Sequence, residues 1–426
     1  MPGKIALRMY PDILSKIKMP EYIIAVTGSN GKTSTVEMIN EVLQNADLTV
    51  AYNSEGSNQI DGVTTLVLSN CSLFGKFKKD VLLLESDERY AQYSFKYFAP
   101  THYVITNLYR DQMTRNGNPE FVLQEIKKSI RSESTLIINS DDPIIASLEN
   151  GENKVCHFGI NNNEYTKIKN TFPYDDGYYC PKCKSELVYS HYQFGHVGNY
   201  KCLKCDFKRP NPEYYISYVN LDEGLLIIND DNVIKLAFKS IYNAYNILAA
   251  YAVTNLIGID SSVICKTLND YLIRNGRVKQ FRLGNNKGTL LISKHENSVS
   301  YNQNIEYIIN QNKDCTVFIM VDAISRKYFT SETSWLWDIN FDALNSECVK
   351  KIIITGIYAN DVACRLFYAG VDFSKVYMDK NINATIKYVK KNMEDYIYVL
   401  TCFSDEKKFT KKVEVLWFIY YIYIQT

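Results

Sequence analysis

The chain has 426 residues, of which 48 are lysine or arginine and 47 are aspartate or glutamate, so its formal net charge is +1. A chain of this length is too long for one ordinary core and predicts two or three domains. A charge balance this close to zero argues against nucleic-acid binding over the whole surface, although it leaves a local basic groove open.

The two ends of the chain and its cysteines predict a cytoplasmic protein. The first 18 residues mix apolar and charged side chains without the apolar core of a secretory signal. The apolar stretch VEVLWFIYYIYIQT at the other end is shorter than the ~20 residues of a spanning helix. Its aromatic and β-branched residues favour a buried strand over a membrane contact. Seven of the 11 cysteines are scattered, which is typical of a reducing compartment.

Between residues 22 and 145, short apolar runs alternate with stretches of helical spacing. Such alternation predicts βαβ units and a parallel sheet, whose ligands bind beyond the carboxyl ends of the strands. We expect strands at 22–26, 81–85, 103–106 and 135–139, and helices at 33–45 and 120–132.

The rest of the chain predicts two domains, residues 1–275 and 276–426, both α/β. Residues 173–212 interrupt the first with Pro, Gly, Tyr and paired cysteines, and predict an inserted module. A helix at 240–259 follows. A second alternating series runs through TLLIS, CTVFIMVD, KKIIITG and DYIYVLT, which predicts a second doubly wound, Rossmann-like domain.

The stretch IIAVTGSNGKTST joins an apolar strand to glycines and to a Lys-Thr pair at a helix start. Backbone N–H groups and the positive end of the helix would face a phosphate there. Lys32 would reach the terminal phosphates, and the Thr33 hydroxyl would ligate Mg²⁺. The full Walker pattern is not met, because Val26 stands where its first glycine would be. The alternative is a strand-to-helix turn that needs glycines only for its shape.

TGSNGKTST resembles the TGTNGKTT loop of the Mur ligase family. The resemblance implies an ATP-dependent ligase that makes an acyl phosphate from a carboxylate, which an amine then attacks. It implies Lys32 and Glu85 as catalytic residues, with Glu85 in LLLESDERY and Thr33 as Mg²⁺ ligands; the alternative for this acidic strand end is a solvated loop. The implied cofactor-binding residues are Gly28, Asn30, Gly31, Lys32, Thr33, Ser34, Asn243 and Arg277.

Asn243 lies in YNAYNILAA, which resembles the helix of this family whose asparagine approaches the adenosine. On helical geometry alone Asn243 is equally well explained as a solvent-facing residue. The stretch NSEGSNQIDGVTT offers a further substrate or nucleotide loop.

Four cysteines form two Cys-x₂-Cys pairs, CPKC and CLKC, with eighteen residues between them. Four thiolates at this spacing predict a tetrahedral Zn²⁺ site, and because no position stays open the metal would be structural. We expect His191 and His196 to lie at the surface rather than to bind the metal. A nucleic-acid-binding ribbon is the rival interpretation, but no interleaved basic and aromatic run accompanies it. The predicted ligands are Cys180, Cys183, Cys202 and Cys205.

A Mur-type domain with an inserted Cys₄ ribbon resembles the MurT branch, the synthetase subunits of lipid II isoglutaminyl synthases. TNLYRDQMTRNG, INSDDP, SETSWLWDINFD and RLFYAGVD extend the resemblance. It implies amidation of the D-glutamate α-carboxylate of the lipid II stem peptide, with ammonia from a GatD-like glutamine amidotransferase partner. It implies no nucleic acid, and membrane contact only through the lipid-linked substrate.

The resemblance also implies that Asp338 completes the Cys-His pair of the partner as a catalytic residue. The alternative for Asp338 is an N-cap or turn residue beside buried Trp335 and Trp337.

The chain departs from this branch mainly in its C-terminal part. Lys279 replaces a glutamate, SKHENSVSYNQ keeps only Asn302 and Gln303 of the usual motif, and SRKYFTSET replaces an acidic run. Either the acceptor differs or some activity has weakened. Two alternatives therefore stay open: a stand-alone Mur-like amino-acid ligase, and a nucleotide-binding scaffold without catalysis.

Overall fold

A computed structural model describes residues 2–53, 57–236, 239–269, 271, 277–324, 331–393 and 396–416, without the side chain of Thr114. The chain forms two compact units. The first consists of Met1–Arg110, Asn118–Thr171 and Asp175–Ile273, and the second of Asp111–Gly117, Phe172–Tyr174 and Arg274–Thr426.

The first unit contains a nine-stranded sheet within the described residues, in the order β11-β10-β9-β6-β5-β4-β1-β3-β2. Its strands are β1 (Tyr22–Thr27), β2 (Val50–Tyr52), β3 (Val81–Glu85), β4 (His102–Ile105), β5 (Thr135–Asn139), β6 (Val155–Ile160), β9 (Tyr214–Asn220), β10 (Leu225–Ile228) and β11 (Asn232–Lys235), and a separate hairpin is formed by β7 (Leu187–Phe194) and β8 (Val197–Cys202).

Helices cover this sheet and connect its strands. They are α1 (Pro2–Met9), α2 (Lys32–Asn45), α3 (Ile60–Ser69), α4 (Ala91–Phe95), α5 (Pro119–Ser129), α6 (Pro143–Ala146), α7 (Ile241–Leu256) and α8 (Ser261–Asn269).

The strands from β2 to β9 in this order are parallel, and β10 and β11 are antiparallel at the edge. The central strands are almost continuous runs of Ile, Leu and Val, and nearly all of their residues are buried. Such runs are typical of a parallel sheet whose two faces are both covered, because neither face can then tolerate polar side chains.

The strand order reverses at β1, which lies between β3 and β4. The chain runs from β1 outwards to β2 on one side, returns through β3, and then continues on the other side with β4. A ligand in an open α/β sheet binds at such a switch point, outside the carboxyl ends of the strands. The loops that follow β1, β3 and β4 therefore define the edge where a site is expected.

The second unit has a seven-stranded sheet within the described residues, in the order β16-β15-β14-β17-β13-β12-β18, with β12 and β18 antiparallel. Its elements are β12 (Val278–Leu283), β13 (Asn286–Ser293), α9 (Ser298–Asn310), β14 (Cys315–Met320), β15 (Val349–Thr355), α10 (Ala359–Tyr368), β16 (Val376–Met378), α11 (Ile382–Asn392), β17 (Tyr396–Cys402), α12 (Phe403–Thr410) and β18 (Glu414–Leu416).

The predicted fold class is confirmed, and most predicted elements lie within a few residues of the observed ones. Several elements had no prediction, among them the strands β2, β6, β7 and β12 and the helix α3. The predicted division after residue 275 falls among residues 272–276, which lie outside the described residues. Of the apolar C-terminal stretch, Glu414–Leu416 forms a strand, and residues 417–426 also lie outside them.

Candidate functional site

The loop between β1 and α2, residues 28–31, and the first turn of α2 form the first part of the site, and we call residues 28–34 together the phosphate loop. Gly28 has a φ of +133° and Gly31 a φ of +85°, values that side chains rarely permit. A Cβ on Gly28 would lie 2.3 Å from the Thr106 hydroxyl, and one on Gly31 would lie 2.0 Å from Oδ1 of Asn246. Both glycines are therefore needed for conformation and for space.

Residues that follow β4 brace the phosphate loop. Asn107 accepts from the N–H of Asn30 through Oδ1 at 2.9 Å and donates to the carbonyl of Asn30 through Nδ2 at 3.0 Å. Its own carbonyl accepts from the N–H of Ser29 at 2.9 Å. The N–H groups that an anion could use are then those of residues 31–34, which open α2, because the first N–H groups of a helix have no partner within it.

Lys32 lies in the first turn of α2, and its side chain is buried. Its Nζ donates to the carbonyl of Gly28 and to Oε1 of Glu88. Burial by itself would lower the pKa of Lys32, but the carboxylates of Glu88 and Glu85 outweigh burial and raise that pKa. Lys32 is therefore a permanent positive charge beside the loop that would hold phosphate.

Thr33 and Glu85 meet at the same edge of the sheet. The Thr33 hydroxyl donates to Oε2 of Glu85 at 2.9 Å. The N–H of Glu85 donates to Oδ1 of Asn53 at 3.0 Å, so the residue after β2 fixes the end of β3. A hydroxyl and a carboxylate oxygen are ligands that Mg²⁺ takes in proteins. The alternative of a solvated acidic loop does not describe Asp87 and Glu88, which are buried.

The helix α7 carries two asparagines, Asn243 and Asn246, that bear on the predicted site. Asn246 lies so close to Gly31 that a Cβ at that position would be 2.0 Å from its Oδ1 atom. Asn243 is buried, so the alternative of a solvent-facing Asn243 is wrong. The N–H of Asn243 donates to the Ser240 side chain, which caps the helix. The adenosine contact of Asn243 stays a prediction.

Arg277 belongs to the second unit. Its guanidinium lies over the Phe403 ring, with Cζ 5.2 Å from the ring centroid. Its carbonyl accepts from the N–H of Ile292 at 2.7 Å. A nucleotide contact of Arg277 therefore stays a prediction, and the contacts described within its own unit are structural.

The four cysteines of the inserted module come together. Their Sγ atoms all lie within 4.8 Å of one another, with 3.6 Å between Cys180 and Cys205 and 3.5 Å between Cys183 and Cys202. A tetrahedral zinc with Zn–S bonds of about 2.3 Å needs sulfurs about 3.8 Å apart, so the cluster fits this ion. Hydrogen bonds from Ser185 lower the pKa of Cys183 to about 6, whereas burial raises the pKa of Cys180.

The β7–β8 hairpin of this module also carries His196, which is buried, so the expectation that it lies at the surface is wrong. Its Nε2 lies 3.4 Å from Oδ1 of Asp142, the residue that caps α6. Next to it, Asp141 accepts from the Arg209 guanidinium and from the Tyr245 hydroxyl, the latter at 2.6 Å. Polar groups of the module are thus paired with the carboxyl end of β5.

The second unit holds a polar cluster that the sequence analysis missed, formed by Asp111, Lys294 and Asn297, which we call the Asp111 cluster. Asp111 lies 3.0 Å from Nζ of Lys294 through Oδ2 and accepts from Nδ2 of Asn297 at 2.5 Å. Asn297 also caps α9 by accepting from the N–H of Ser300 at 2.7 Å. The strings RDQ and SKHEN carried these residues, but no spacing rule joins positions 183 apart.

Asp338 ends a short 3₁₀ helix, Ser334–Asp338, whose N-cap is Thr333, so the N-cap alternative for Asp338 is wrong. Asn302 donates to the carbonyl of Asp338 at 3.2 Å and accepts from the N–H of Asn340 at 2.7 Å, which fixes this turn. The two tryptophans beside Asp338 differ, because Trp335 is buried and Trp337 is half-exposed.

Lys279, which stands where the MurT branch usually has a glutamate, forms an ion pair. Its Nζ lies 2.5 Å from Oε1 of Glu406 in α12. The reversed charge therefore has a local partner in this chain.

Comparison with known proteins identifies the family of the chain. The family model described as the Mur ligase middle domain matches residues 26–254, more than half of the chain. The chain belongs to the Mur ligase family. A second model, described as the MurT ligase C-terminal domain, matches residues 295–405. The matched range of the first model includes the phosphate loop, Glu85, the four cysteines and Asn243.

The relatives of this Mur ligase family member include two proteins named lipid II isoglutaminyl synthase (glutamine-hydrolyzing) subunit MurT. The one from Staphylococcus aureus (strain COL) is 26% identical over 389 residues, which are 91% of this chain and 86% of the relative. The one from Streptococcus pneumoniae (strain ATCC BAA-255 / R6) is 29% identical over 422 residues, 95% of this chain and 90% of the relative. The predicted similarity to MurT is confirmed.

Solved structures of the Mur ligase fold are also similar. A pseudomurein peptide ligase type C from Methanothermus fervidus has a TM-score of 0.68 at 23% identity and covers 92% of this chain and 78% of its own. A MurF ligase from Thermotoga maritima, solved in complex with ADP, has a TM-score of 0.62 at 13% identity, with coverages of 94% and 80%. At these identities the likeness is one of fold. Among the described residues, none of the helices combines the length and hydropathy that a membrane span requires.

Proposed function

We propose that the chain is the synthetase subunit of a glutamine-dependent amidating ligase. Its acceptor is the D-glutamate α-carboxylate of the lipid II stem peptide, and its partner is a GatD-like glutamine amidotransferase. The observation that carries the proposal is the phosphate loop, where Lys32, Thr33 and Glu85 meet at the switch point of a parallel sheet.

The proposed reaction has two steps. An acceptor carboxylate oxygen attacks the γ-phosphorus of ATP, and ADP leaves. Ammonia then attacks the carbonyl carbon of the acyl phosphate, and inorganic phosphate leaves as the amide forms. The activation is needed because a carboxylate oxygen is a poor leaving group. Catalysis of the first step consists mainly of positioning and of neutralising the charge on the transferred phosphoryl group.

The residues of the phosphate loop suit that task. Lys32 supplies a buried positive charge, and the N–H groups of residues 31–34 supply donors for phosphate oxygens. Thr33 and Glu85 would hold Mg²⁺, since both offer oxygen atoms on one side of the loop, and the ion would supply positive charge against the phosphates. Gly28, Asn30 and Ser34 complete the loop, and Asn243 of α7 would contact the nucleoside.

Mg²⁺ binding is tested by exchanging the hydroxyl of Thr33. Thr33→Val removes one oxygen ligand, and we expect the Mg²⁺ concentration needed for half-maximal ATP consumption to rise about tenfold. Thr33→Ser keeps the hydroxyl and is the matched control. Equal Mg²⁺ requirements for both variants would remove Thr33 from the metal site.

A partner surface on the second unit is supported by aromatic residues near Asp338. Trp337 and Tyr368 have ring centroids 5.5 Å apart, Phe367 lies 5.7 Å from Tyr368, and Phe373 lies 6.0 Å from Phe367. All four are exposed. Exposed aromatic clusters are typical of protein interfaces, because large apolar rings gain most when water is removed from them.

Asp338 would orient the catalytic histidine of the docked glutaminase. Asp338→Asn in the complex should lower glutamine hydrolysis about a hundredfold or more, because an amide cannot stabilise an imidazolium as a carboxylate does. Asp342→Asn changes an exposed aspartate four positions away and is the control. Glutamine hydrolysis equal to wild type in the Asp338 variant would reject this role.

The whole proposal is tested with purified chain, lipid II, ATP and either ammonium or glutamine. We expect phosphate release and amidated product with ammonium alone, and with glutamine only when the partner is present. Product formation with an amino acid and no partner would favour the stand-alone ligase. No ATP consumption under any of these conditions would favour the scaffold.

The zinc-binding and cytoplasmic assignments belong to the same proposal. The four clustered sulfurs would hold a structural zinc that joins the two Cys-x₂-Cys turns. All 11 cysteines are free thiols, which supports a reducing compartment.

A further inference from the structure

A short hairpin follows α3, and its tip carries two apolar side chains, Leu73 and Phe74. The N–H of Ser72 donates to the carbonyl of Lys76 at 2.8 Å, and the N–H of Gly75 donates back to the carbonyl of Ser72 at 3.0 Å. Gly75 has a φ of +73°, which glycine adopts easily and which closes the turn. We call residues 71–77 the Leu73 hairpin.

The base of the Leu73 hairpin is anchored to the rest of the first unit. The N–H of Lys18 donates to the carbonyl of Gly75 at 2.8 Å, and the N–H of Phe77 donates to the carbonyl of Lys18 at 3.1 Å. The Phe77 ring is buried in the core of the unit. The tip is therefore held by backbone hydrogen bonds and a core side chain, and its shape does not depend on Leu73 or Phe74.

Leu73 and Phe74 contact almost nothing in the described residues: their relative exposures are 102% and 99%. Single exposed apolar residues are common in soluble proteins. Here two large ones lie side by side at the end of a fixed turn, and both side chains are almost entirely in water. A partner that removes this surface from water would gain binding free energy.

Lysines surround the base of the hairpin. Lys18 and Lys76 are neighbours through a backbone bridge. A recess of about 530 Å³ beside them is lined by Lys18, Lys76, Lys78 and Lys79, and also by the acids Glu21 and Asp80. Asp80 accepts hydrogen bonds from the Thr49 N–H and hydroxyl, at 2.8 and 2.6 Å. Among the described residues none of these lysines has an ion-pair partner within 4.0 Å, so the recess favours an anion.

We propose that the Leu73 hairpin docks the first unit on a bilayer that contains anionic phospholipid. Leu73 and Phe74 would enter the boundary between headgroups and acyl chains, and the lysines around the recess would bind lipid phosphates. Apolar tips flanked by lysine suit this surface because lysine keeps its ammonium among the headgroups while its stem lies along apolar atoms. This proposal does not depend on the proposed reaction.

A bilayer explains the shape of the feature better than a protein partner does. The hairpin is a projecting tip, and a tip with two apolar residues fits a soft surface without a preformed pocket. A protein partner would need an apolar pocket of matching shape beside an acidic patch. An anionic bilayer supplies both an apolar medium and negative charge, because its acyl chains are apolar and its headgroups are anionic.

The test is co-sedimentation of the full chain with vesicles of phosphatidylcholine alone or with 30% phosphatidylglycerol, first at ~0.1 M salt and then at increasing salt. We expect binding to the anionic vesicles, with weaker binding as salt increases. Leu73→Ser/Phe74→Ser should weaken binding about tenfold, and Lys76→Glu/Lys78→Glu should weaken it about tenfold or more. Ile168→Ser/Val233→Ser removes two other exposed apolar residues and should bind as wild type does.

A second measurement reports insertion directly. In Phe74→Trp, the emission of the new tryptophan is obtained by subtracting the wild-type spectrum. This emission should shift to shorter wavelength when anionic vesicles are added, and brominated acyl chains should quench it. Wild type that does not bind anionic vesicles would overturn the proposal, and so would equal binding by the Leu73→Ser/Phe74→Ser variant. Binding without the emission shift would also overturn it, because the lysines alone would then explain the affinity.

Discussion

The phosphate loop and the Asp111 cluster are both polar sites, but the chain builds them in opposite ways. The phosphate loop is one continuous stretch whose glycines, lysine and threonine are neighbours in sequence, and later residues such as Asn107 only brace it. The Asp111 cluster joins residues 183 positions apart, and its members serve each other and a helix cap. Under the proposed function the contiguous polar residues serve chemistry, whereas the assembled ones hold a helix cap and an ion pair.

The largest expected effect comes from Lys32→Ala, which should lower ATP consumption about a thousandfold, because the cation nearest the phosphates is lost. The measurement is phosphate release with acceptor and ammonium. Lys127→Ala, in an exposed position of α5, is the control.

Lys32→Ala also leaves Glu88 buried without its cation, so the single variant should lose stability as well. The double variant Lys32→Ala/Glu88→Gln removes that unpaired charge. If the loop serves chemistry, the double variant regains stability and stays inactive. Recovery of ATP consumption in the double variant would contradict the assignment of Lys32.

The inserted module is intermediate between the phosphate loop and the Asp111 cluster in the sequence separation of its residues. Its predicted zinc ligands come from two short motifs separated by eighteen residues. Cys183→Ser should reduce bound zinc from about one per chain to near zero and should open the β7–β8 hairpin to proteolysis. Cys364→Ser changes an exposed cysteine outside the module and should leave both unchanged. Metal analysis of the purified wild type is the first step, and absence of zinc there would refute the site.

A smaller effect is expected from Asp111→Asn, which removes the carboxylate that Lys294 and Asn297 share. We expect the free energy of unfolding to fall by about 2 kcal/mol, because Asp111 is buried and one partner of the pair is removed. Asp314→Asn breaks an exposed pair with Lys350 and should cost about 0.5 kcal/mol or less. Equal losses for both variants would show that the Asp111 cluster does not support the second unit.

The smallest effect concerns His196 and pH. Burial by itself would lower the pKa of His196, but Asp142 and the nearby Asp176 and Asp175 raise it above the usual value. The stability that this histidine contributes is therefore complete below about pH 6.5 and is lost as pH rises through its higher folded pKa.

The measurement is the free energy of unfolding across this pH window in wild type and in His196→Gln. The decrease with rising pH that is expected in wild type should be absent in the variant. His191→Gln is the contrast, because burial lowers the pKa of His191 and its contribution runs the other way. A pH dependence that is unchanged by His196→Gln would contradict the assignment.

Sequence patterns predicted the elements whose signals are local. The strands β1, β3 and β5 could be predicted as apolar runs because both faces of the sheet are covered. The loop at Gly31 could be predicted because its φ and its contact with Asn246 require glycine. β12 had no prediction, because its sequence mixes charged and apolar residues and its register is set by β13 and β18. The predicted surface position of His196 is wrong because its partner Asp142 is distant in sequence and is brought to it only by folding.

The pairing of Lys32 with Glu88 changes what nucleotide affinity would report. The ammonium already has a carboxylate partner inside the protein, so a phosphate bound at the proposed site would share Lys32 with that carboxylate or displace it. The measured affinity would then be reduced by the Lys32–Glu88 pair, and Glu88 would act as a tethered competitor. Such a competitor would keep the lysine oriented between turnovers and would help to release ADP after each one.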